Sequence, residues 1–316
     1  MSSTPLRKIL IAGASGSLGS ALLTALSSNP NFEVAILTRA SSTSRSRFPP
    51  HIPVLTVSDA FTLVELTEAF RGQDAVINAL STEPVTRDDL GMRFVDACIA
   101  ASVKRLITGD FGADNLNTEA QATVPVYKAK GEVIEYLKKK TEQGGVGLTW
   151  TALGTGSWLD WALDKQFLKI DVPGRKAKIF DSGTHKFTVV TVANVALATA
   201  RVLLNPAATA NRYLFFQDFA CSQRDIIAEL ERQSGENWAI ENVVSEEEIA
   251  KARRMLAAGD SGAVYDLLAI SFVGDAKVPR GTWFEETGLE LANELIGGLP
   301  RVTLEDVVKE ALKTAQ

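Results

Sequence analysis

Cysteine and histidine are almost absent from this chain. Cys98 and Cys221 are its two thiols, and His51 and His185 its two imidazoles. The thiols sit singly in apolar stretches, which predicts no disulfide frame and a reducing compartment. Two isolated histidines with no cysteine pairs nearby offer no metal site. No apolar run approaches the roughly 20 residues of a membrane-spanning helix. The first apolar strand begins just after Leu6-Arg7, leaving no room for a signal peptide, so a cytoplasmic location is expected. Charge of one sign is scarce too. The 33 basic and 38 acidic residues leave a net charge of −5. That balance lacks the basic footprint of a nucleic-acid binder. No nucleic acid and no membrane is therefore expected as a partner.

Glycine, by contrast, is placed with purpose. Directly after the apolar run Ile9-Leu10-Ile11-Ala12 comes Gly13-Ala14-Ser15-Gly16-Ser17-Leu18-Gly19. A buried strand that breaks into three glycines and then opens a helix is a phosphate cradle. Gly13 permits the tight turn, Gly16 lets backbone approach a pyrophosphate, and Gly19 lets the helix from Ser17 to about Leu26 pack close. Ser15, Ser17 and Leu18 complete the loop that meets the phosphates. A second apolar strand, Phe32–Leu37, follows and makes this the first half of a dinucleotide-binding unit. It ends on Thr38-Arg39, with Ser42, Arg45 and Arg47 beyond, and no acid in the immediate sequence. A carboxylate at that point accepts bonds from the ribose of NAD, whereas Arg39 can fork onto the 2′-phosphate of NADP(H). NADP(H) is the expected cofactor.

Strands and helices go on alternating. Val54–Val57, Asp74–Ala79, Val103–Thr108 and Gly147–Leu153 read as strands. Helices are expected near Leu63–Phe70, from about Asp88 to Ala101, and from Pro125 to about Gln143. This pattern predicts an α/β, doubly wound parallel sheet of the Rossmann type. The end of the fourth strand, Asn78-Ala79-Leu80, should pass under the ribose and nicotinamide. Beyond Leu153 the rhythm loosens. We expect a nucleotide-binding domain over 1–155 and a smaller substrate lobe over 156–316, with some segments returning to the first domain. The stretch 41–47 reads as a loop, and Val192–Leu204 as a helix belonging to either part.

The glycine triplet, the Arg39 strand end, Val103-Lys104-Arg105-Leu106 leading to Asp110-Phe111-Gly112, and the helix carrying Lys130 resemble the NmrA-like, isoflavone-reductase-like atypical short-chain dehydrogenases. Leu148-Thr149-Trp150-Thr151 through Leu159-Asp160-Trp161 resembles fungal members. The resemblance implies a Rossmann domain, NADPH, and a lysine acting as general acid or base at the position of Lys130. The family also contains NADP sensors without turnover. Two positions depart from the family pattern. Gly109 stands where a serine is usual, so any bond from that hydroxyl must come from elsewhere. Gly91 stands where many relatives carry a glutamine that approaches the nicotinamide.

Helix geometry supports Lys130 independently. At about 100° per residue, Val126, Val133, Ile134 and Leu137 lie within about 60° of it, while Lys128 and Lys139 fall on the opposite face. A lysine on an apolar stripe loses solvation, and its pKa falls toward a range useful for proton transfer. Tyr127 could share its pocket. The literal short-chain dehydrogenase signature Tyr136-x-x-x-Lys140 falls in the second half of the helix, away from the strand ends, and reads as a basic helix terminus. On the substrate side, Phe111, Trp158, Trp161 and Phe187, with Tyr265, Phe272 and Trp283 from the C-terminal part, suit a small apolar or aromatic substrate. His185 reads as a surface-turn residue.

The combined reading is an NADPH-dependent reductase of a small aromatic or polyketide-like metabolite, with room for a homodimer. Two alternatives stay open: an NADP(H)-sensing regulator, and a non-redox isomerase or cyclase using the same pocket.

Overall fold

The computed structural model describes residues 5–82, 89–142, 146–275 and 281–315. The expected helix limits at Asp88 and Gln143 lie outside these residues. Strand β1 (Lys8–Ala12) leads through the glycine loop into α1 (Ser17–Ser27) and β2 (Glu33–Arg39). Next come β3 (Val54–Val57), α2 (Leu63–Phe70) and β4 (Ala75–Asn78). Then follow α3 (Leu90–Ala100), β5 (Arg105–Ile107), the short α4 (Thr118–Thr123), α5 (Pro125–Glu142) and β6 (Thr149–Gly154). Residues 43–47, expected as a loop, form a single 3₁₀ turn capped by the Ser42 side chain.

Period-two alternation explains how β1 is buried on both sides. Ile9 and Ile11 pack on one face with Leu22 and Leu26 of α1, whereas Leu10 and Ala12 pack on the other with residues of α2, α3 and α5. All pairings in the seven-stranded sheet are parallel, in the order β10 (Arg212–Phe215), β6, β5, β4, β1, β2, β3. Strand order reverses between β1 and β4, which leaves a crevice beyond their C-terminal ends; open α/β sheets bind their ligands at such a crevice.

The remaining elements build a second cluster around α6 (Leu159–Asp164), β7 (Ile170–Asp171), β8 (Lys176–Phe180) and β9 (Lys186–Val189). The chain then returns to the main sheet. Helix α7 (Val192–Leu204) packs on α1, and β10 (Arg212–Phe215) adds an edge strand beside β6. From there β11 (Phe219–Ser222), α8 (Gln223–Ser234), β12 (Ala239–Val243), α9 (Ser245–Ala257), α10 (Val264–Val273) and α11 (Leu304–Thr314) complete the second cluster. Among the described residues, no helix is long and apolar enough to cross a membrane.

The edge near β10 is held by a buried arginine. Arg105 of β5 donates to Thr149 Oγ1 at 2.8 Å, Thr151 Oγ1 at 2.9 Å, Thr209 Oγ1 at 3.0 Å and the Pro206 carbonyl at 2.6 Å. Burial brings its guanidinium down to about 10, yet four acceptors satisfy it without a carboxylate.

Helix α5 carries the expected stripe: Val126, Ile134 and Leu137 are buried, while Lys128 and Lys139 are exposed. Leu137→Ala should therefore cost about 2–5 kcal/mol in urea unfolding, the usual cost of truncating a buried leucine. Lys139→Ala, two positions on, should stay within about 0.5 kcal/mol.

Candidate active site

The loop after β1 is shaped by three absent side chains. Gly13 has φ +88°, and a Cβ there would lie 2.3 Å from the Ala79 carbonyl oxygen. A Cβ on Gly19 would lie 2.0 Å from the Gly13 carbonyl oxygen, so α1 can start where it does only without one. Gly16 N–H closes the turn onto the Gly13 carbonyl at 3.0 Å. A Cβ on Gly16, by contrast, would meet nothing closer than that carbonyl at 3.4 Å. Gly16 lines the cleft, so a side chain there would take up space in it. Gly16 is also the N-cap of α1 and offers no capping side chain. The first-turn N–H groups of Ser17, Leu18 and Gly19 are therefore left for an outside acceptor. Ser15 is exposed on the same loop. This cradle fits a dinucleotide phosphate.

A cleft of about 270 Å³ opens beside it. Gly16, Ser17, Leu18, Ala79, Leu80, Phe111 and Lys130 all line it, as do Trp158, Trp161 and Tyr265. Asn78 sits just beneath the rim, 4% exposed, with its Oδ1 accepting from Leu80 N–H at 3.3 Å. Of the remaining expected aromatics, Phe272 lines the cleft. Phe187 is fully buried behind it against Phe272, and Trp283 packs on His185 instead. Aromatic spacing in sequence could not separate wall from core here.

Tyr127 also lines the cleft, with its hydroxyl 2.6 Å from Ser271 Oγ of α10. Phe167, not anticipated from the sequence, extends the wall: ring centroids run Trp158–Trp161 5.9 Å, Trp161–Phe167 5.4 Å and Phe167–Phe272 6.2 Å. Ser157, likewise unanticipated, lines the cleft with a buried hydroxyl that finds no partner among the described residues.

Lys130 projects from α5 into this cleft. Among the described residues its ammonium has no hydrogen-bond acceptor and no carboxylate at ion-pair distance. Burial pulls its pKa below the ordinary lysine value, and the charge of nearby Asp110 partly opposes that fall. Tyr136, in contrast, donates to both carboxylate oxygens of Asp96, at 2.9 and 3.1 Å. Lys140 pairs with the same Asp96 at 3.3 Å. That pair is committed to a helix–helix contact outside the cleft.

The family model described as NAD(P)H-binding matches residues 13–206, from the first glycine of the loop to the turn that meets Arg105. The chain belongs to this NAD(P)H-binding family. Among curated relatives, the oxidoreductase aprR of Aspergillus flavus is 38% identical over 253 residues, covering 80% of this chain and 82% of the relative. The oxidoreductase poxI of Penicillium oxalicum is 29% identical over 312 residues, 97% of this chain and 94% of the relative. Among solved structures, leucoanthocyanidin reductase from Vitis vinifera superimposes with a TM-score of 0.75 at 16% identity, over 97% of this chain and 99% of that one. The fold and the NmrA-like, isoflavone-reductase-like resemblance are thereby borne out.

In this NAD(P)H-binding protein, one part of the cofactor reading needs correction. No acid follows β2 in sequence, yet parallel pairing sets Arg39 opposite Val57 of β3 and brings Asp59 alongside. Arg39 Nη1 lies 3.5 Å from Asp59 Oδ1, which also accepts from Ser41 Oγ at 2.6 Å. Sequence distance concealed this acid, because a strand neighbour can come from any stretch of chain. The pair is solvent-exposed and so weak. Arg45 and Arg47 are exposed on the 3₁₀ turn.

The contrasting glycines generate a test. Gly16→Val should leave the thermal midpoint nearly unchanged while weakening NADPH by more than about 100-fold in a fluorescence titration, because its side chain takes the pyrophosphate's place. Gly19→Ala should lower the thermal midpoint itself, since backbone must move to admit the methyl.

Proposed function

We propose that this protein is an NADPH-dependent reductase of a small aromatic or polyketide-like metabolite, with Lys130 as its general acid. The observation that carries this reading is the Lys130 ammonium, unpaired among the described residues and set in an aromatic-walled cleft continuous with the Gly16–Leu18 phosphate cradle. The oxidoreductase names of aprR and poxI support the reaction class. The aromatic wall supports the substrate class, because flat apolar rings pack on Trp158, Trp161 and Tyr265 with little loss of side-chain entropy.

The cofactor, when bound, supplies a hydride from nicotinamide C4. The first-turn N–H groups of α1 would hold its pyrophosphate, and the Arg39 guanidinium would bind a 2′-phosphate in place of Asp59. Asn78, Ala79 and Leu80 would support the ribose and nicotinamide end. Phe111, Trp158 and Trp161 exclude water from the acceptor. Lys130 holds a proton at Nζ and gives it to, or polarises, the oxygen of an enone, quinone methide or carbonyl.

Screening aromatic metabolites for NADPH oxidation tests the reading directly. With an active substrate, Lys130→Ala should lower kcat by roughly 10²–10⁴-fold, the usual contribution of general acid–base catalysis, and leave NADPH affinity within a few-fold. Tyr136→Phe should be nearly silent. Normal turnover by Lys130→Ala with a dead Tyr136→Phe would transfer the role to the other pair. The acid must be protonated to act, so the rate should fall as pH rises through the Lys130 pKa, at a pH below that of an ordinary lysine.

Cofactor choice gives an independent check. NADPH should bind more tightly than NADH, and Arg39→Asp should narrow or reverse the preference, because two carboxylates would then face the 2′-phosphate. Equal affinities for the two cofactors in the wild type would remove the argument.

A further inference from the structure

Behind Lys130, on the side away from the main cleft, lies a second cavity of about 10 Å³. Its polar lining is Thr108, Asp110, Asn78 and Lys130 itself, and its apolar lining includes Phe94 and Val133. That volume is about one probe sphere, enough for a single water provided two to four polar groups can bond it.

Two of those groups are placed unusually. Thr108 is 2% exposed, and its hydroxyl faces Asp110 without reaching hydrogen-bond geometry with any described residue. Asp110 is also 2% exposed. It accepts from Asn115 Nδ2 at 2.7 Å, and among the described residues no cation comes within ion-pair distance of it. A buried carboxylate with a single protein donor is costly, and so is a buried hydroxyl with none. One water in the shared cavity can bond both and still reach the Lys130 ammonium.

We infer that Asp110 is the positioning residue of Lys130, acting through a water held with Thr108 in the cavity the three side chains share. The inference rests on the reading of Lys130 as the general acid. It gives that acid a fixed counter-charge on the side opposite the substrate, so the ammonium is held toward the cleft. The electrostatics run the same way. Burial pushes the Asp110 carboxyl up and the Lys130 ammonium down, and each charge opposes the shift of the other. The other groups facing Asp110 are Asp114, which raises it further, and the Asn115 amide and Thr108 hydroxyl, which favour its charged form. The Tyr213 phenol, pushed up first by burial and then by both aspartates, stays neutral. Lys130 is therefore the one cation facing Asp110 among these groups.

The test needs no substrate. Acylation of Lys130 by a small anhydride, followed by mass spectrometry across neutral to alkaline pH, reads its pKa directly in the full-length protein. Asp110→Asn keeps an acceptor for Asn115 and should move that titration down by at least about one pH unit, as expected for loss of an opposite charge nearby. Thr108→Val, nearly isosteric, should move it down as well by removing one ligand of the water, and serves alone if the aspartate variant does not fold. A high-resolution crystal structure should show one water bonded to Thr108, Asp110 and Lys130. An unchanged Lys130 titration in both variants, or a crystal structure with no water there, would overturn the proposal. A shifted titration combined with normal turnover by Lys130→Ala would leave the Asp110 coupling standing and sink only the general-acid reading.

Discussion

Everything at the cofactor end of this molecule depends on how closely backbone packs around the Gly13 carbonyl oxygen. The Gly13 oxygen lies where a Cβ on Gly19 would sit, and Gly13 itself is pressed against Ala79 at the end of the next strand. These contacts fix where α1 begins relative to β1 and β4. The position of α1 fixes the direction of its free N–H groups, and through α7 packed on its flank it also helps place the second half of the chain. A methyl group at either position would separate strand, helix and shelf together, so local sterics and not hydrophobic burial set the precision of the site.

Much of this was legible in the sequence, for a physical reason. The loop, the α5 stripe and the alternation of elements are local patterns, and local patterns survive without knowledge of neighbours. Lys130 could be placed among buried residues because Val126, Ile134 and Leu137 lie within three turns of one helix. What escaped was assembled across distance. Asp59 reaches Arg39 through strand pairing, and Phe167 joins the wall from a turn after α6. Phe187 and Trp283 looked equivalent to Trp158 and Trp161 as residue types, yet packing sends the first into the core and the second onto His185. Asp110 was visible within its motif, but nothing local showed that its carboxylate would be buried beside Lys130.

The cleft is made by two bodies of structure that meet along α5. Its N-terminal turns carry Val126, Tyr127 and Lys130 into the cleft, and its later turns lock onto α3 through Tyr136, Lys140 and Asp96. The Tyr127–Ser271 hydrogen bond then joins α5 to α10, which supplies Leu268 and Phe272 to the far wall. One helix thus holds the ionisable group and also fixes its distance from the aromatic surface opposite. Such an arrangement favours a rigid, preorganised pocket over one assembled by the ligand.

The Arg105 contacts carry a consequence for how the chain comes to be folded. Its guanidinium binds Thr209, 104 residues further along, and the edge strand it steadies is made only after α6 through α7 have been synthesised. Without β10 the six earlier strands leave the flank of β6 open and Arg105 short of two of its four acceptors. Contacts of such long sequence separation are slow to form. Until Pro206 and Thr209 arrive, the unpaired flank of β6 is open to pairing with another molecule.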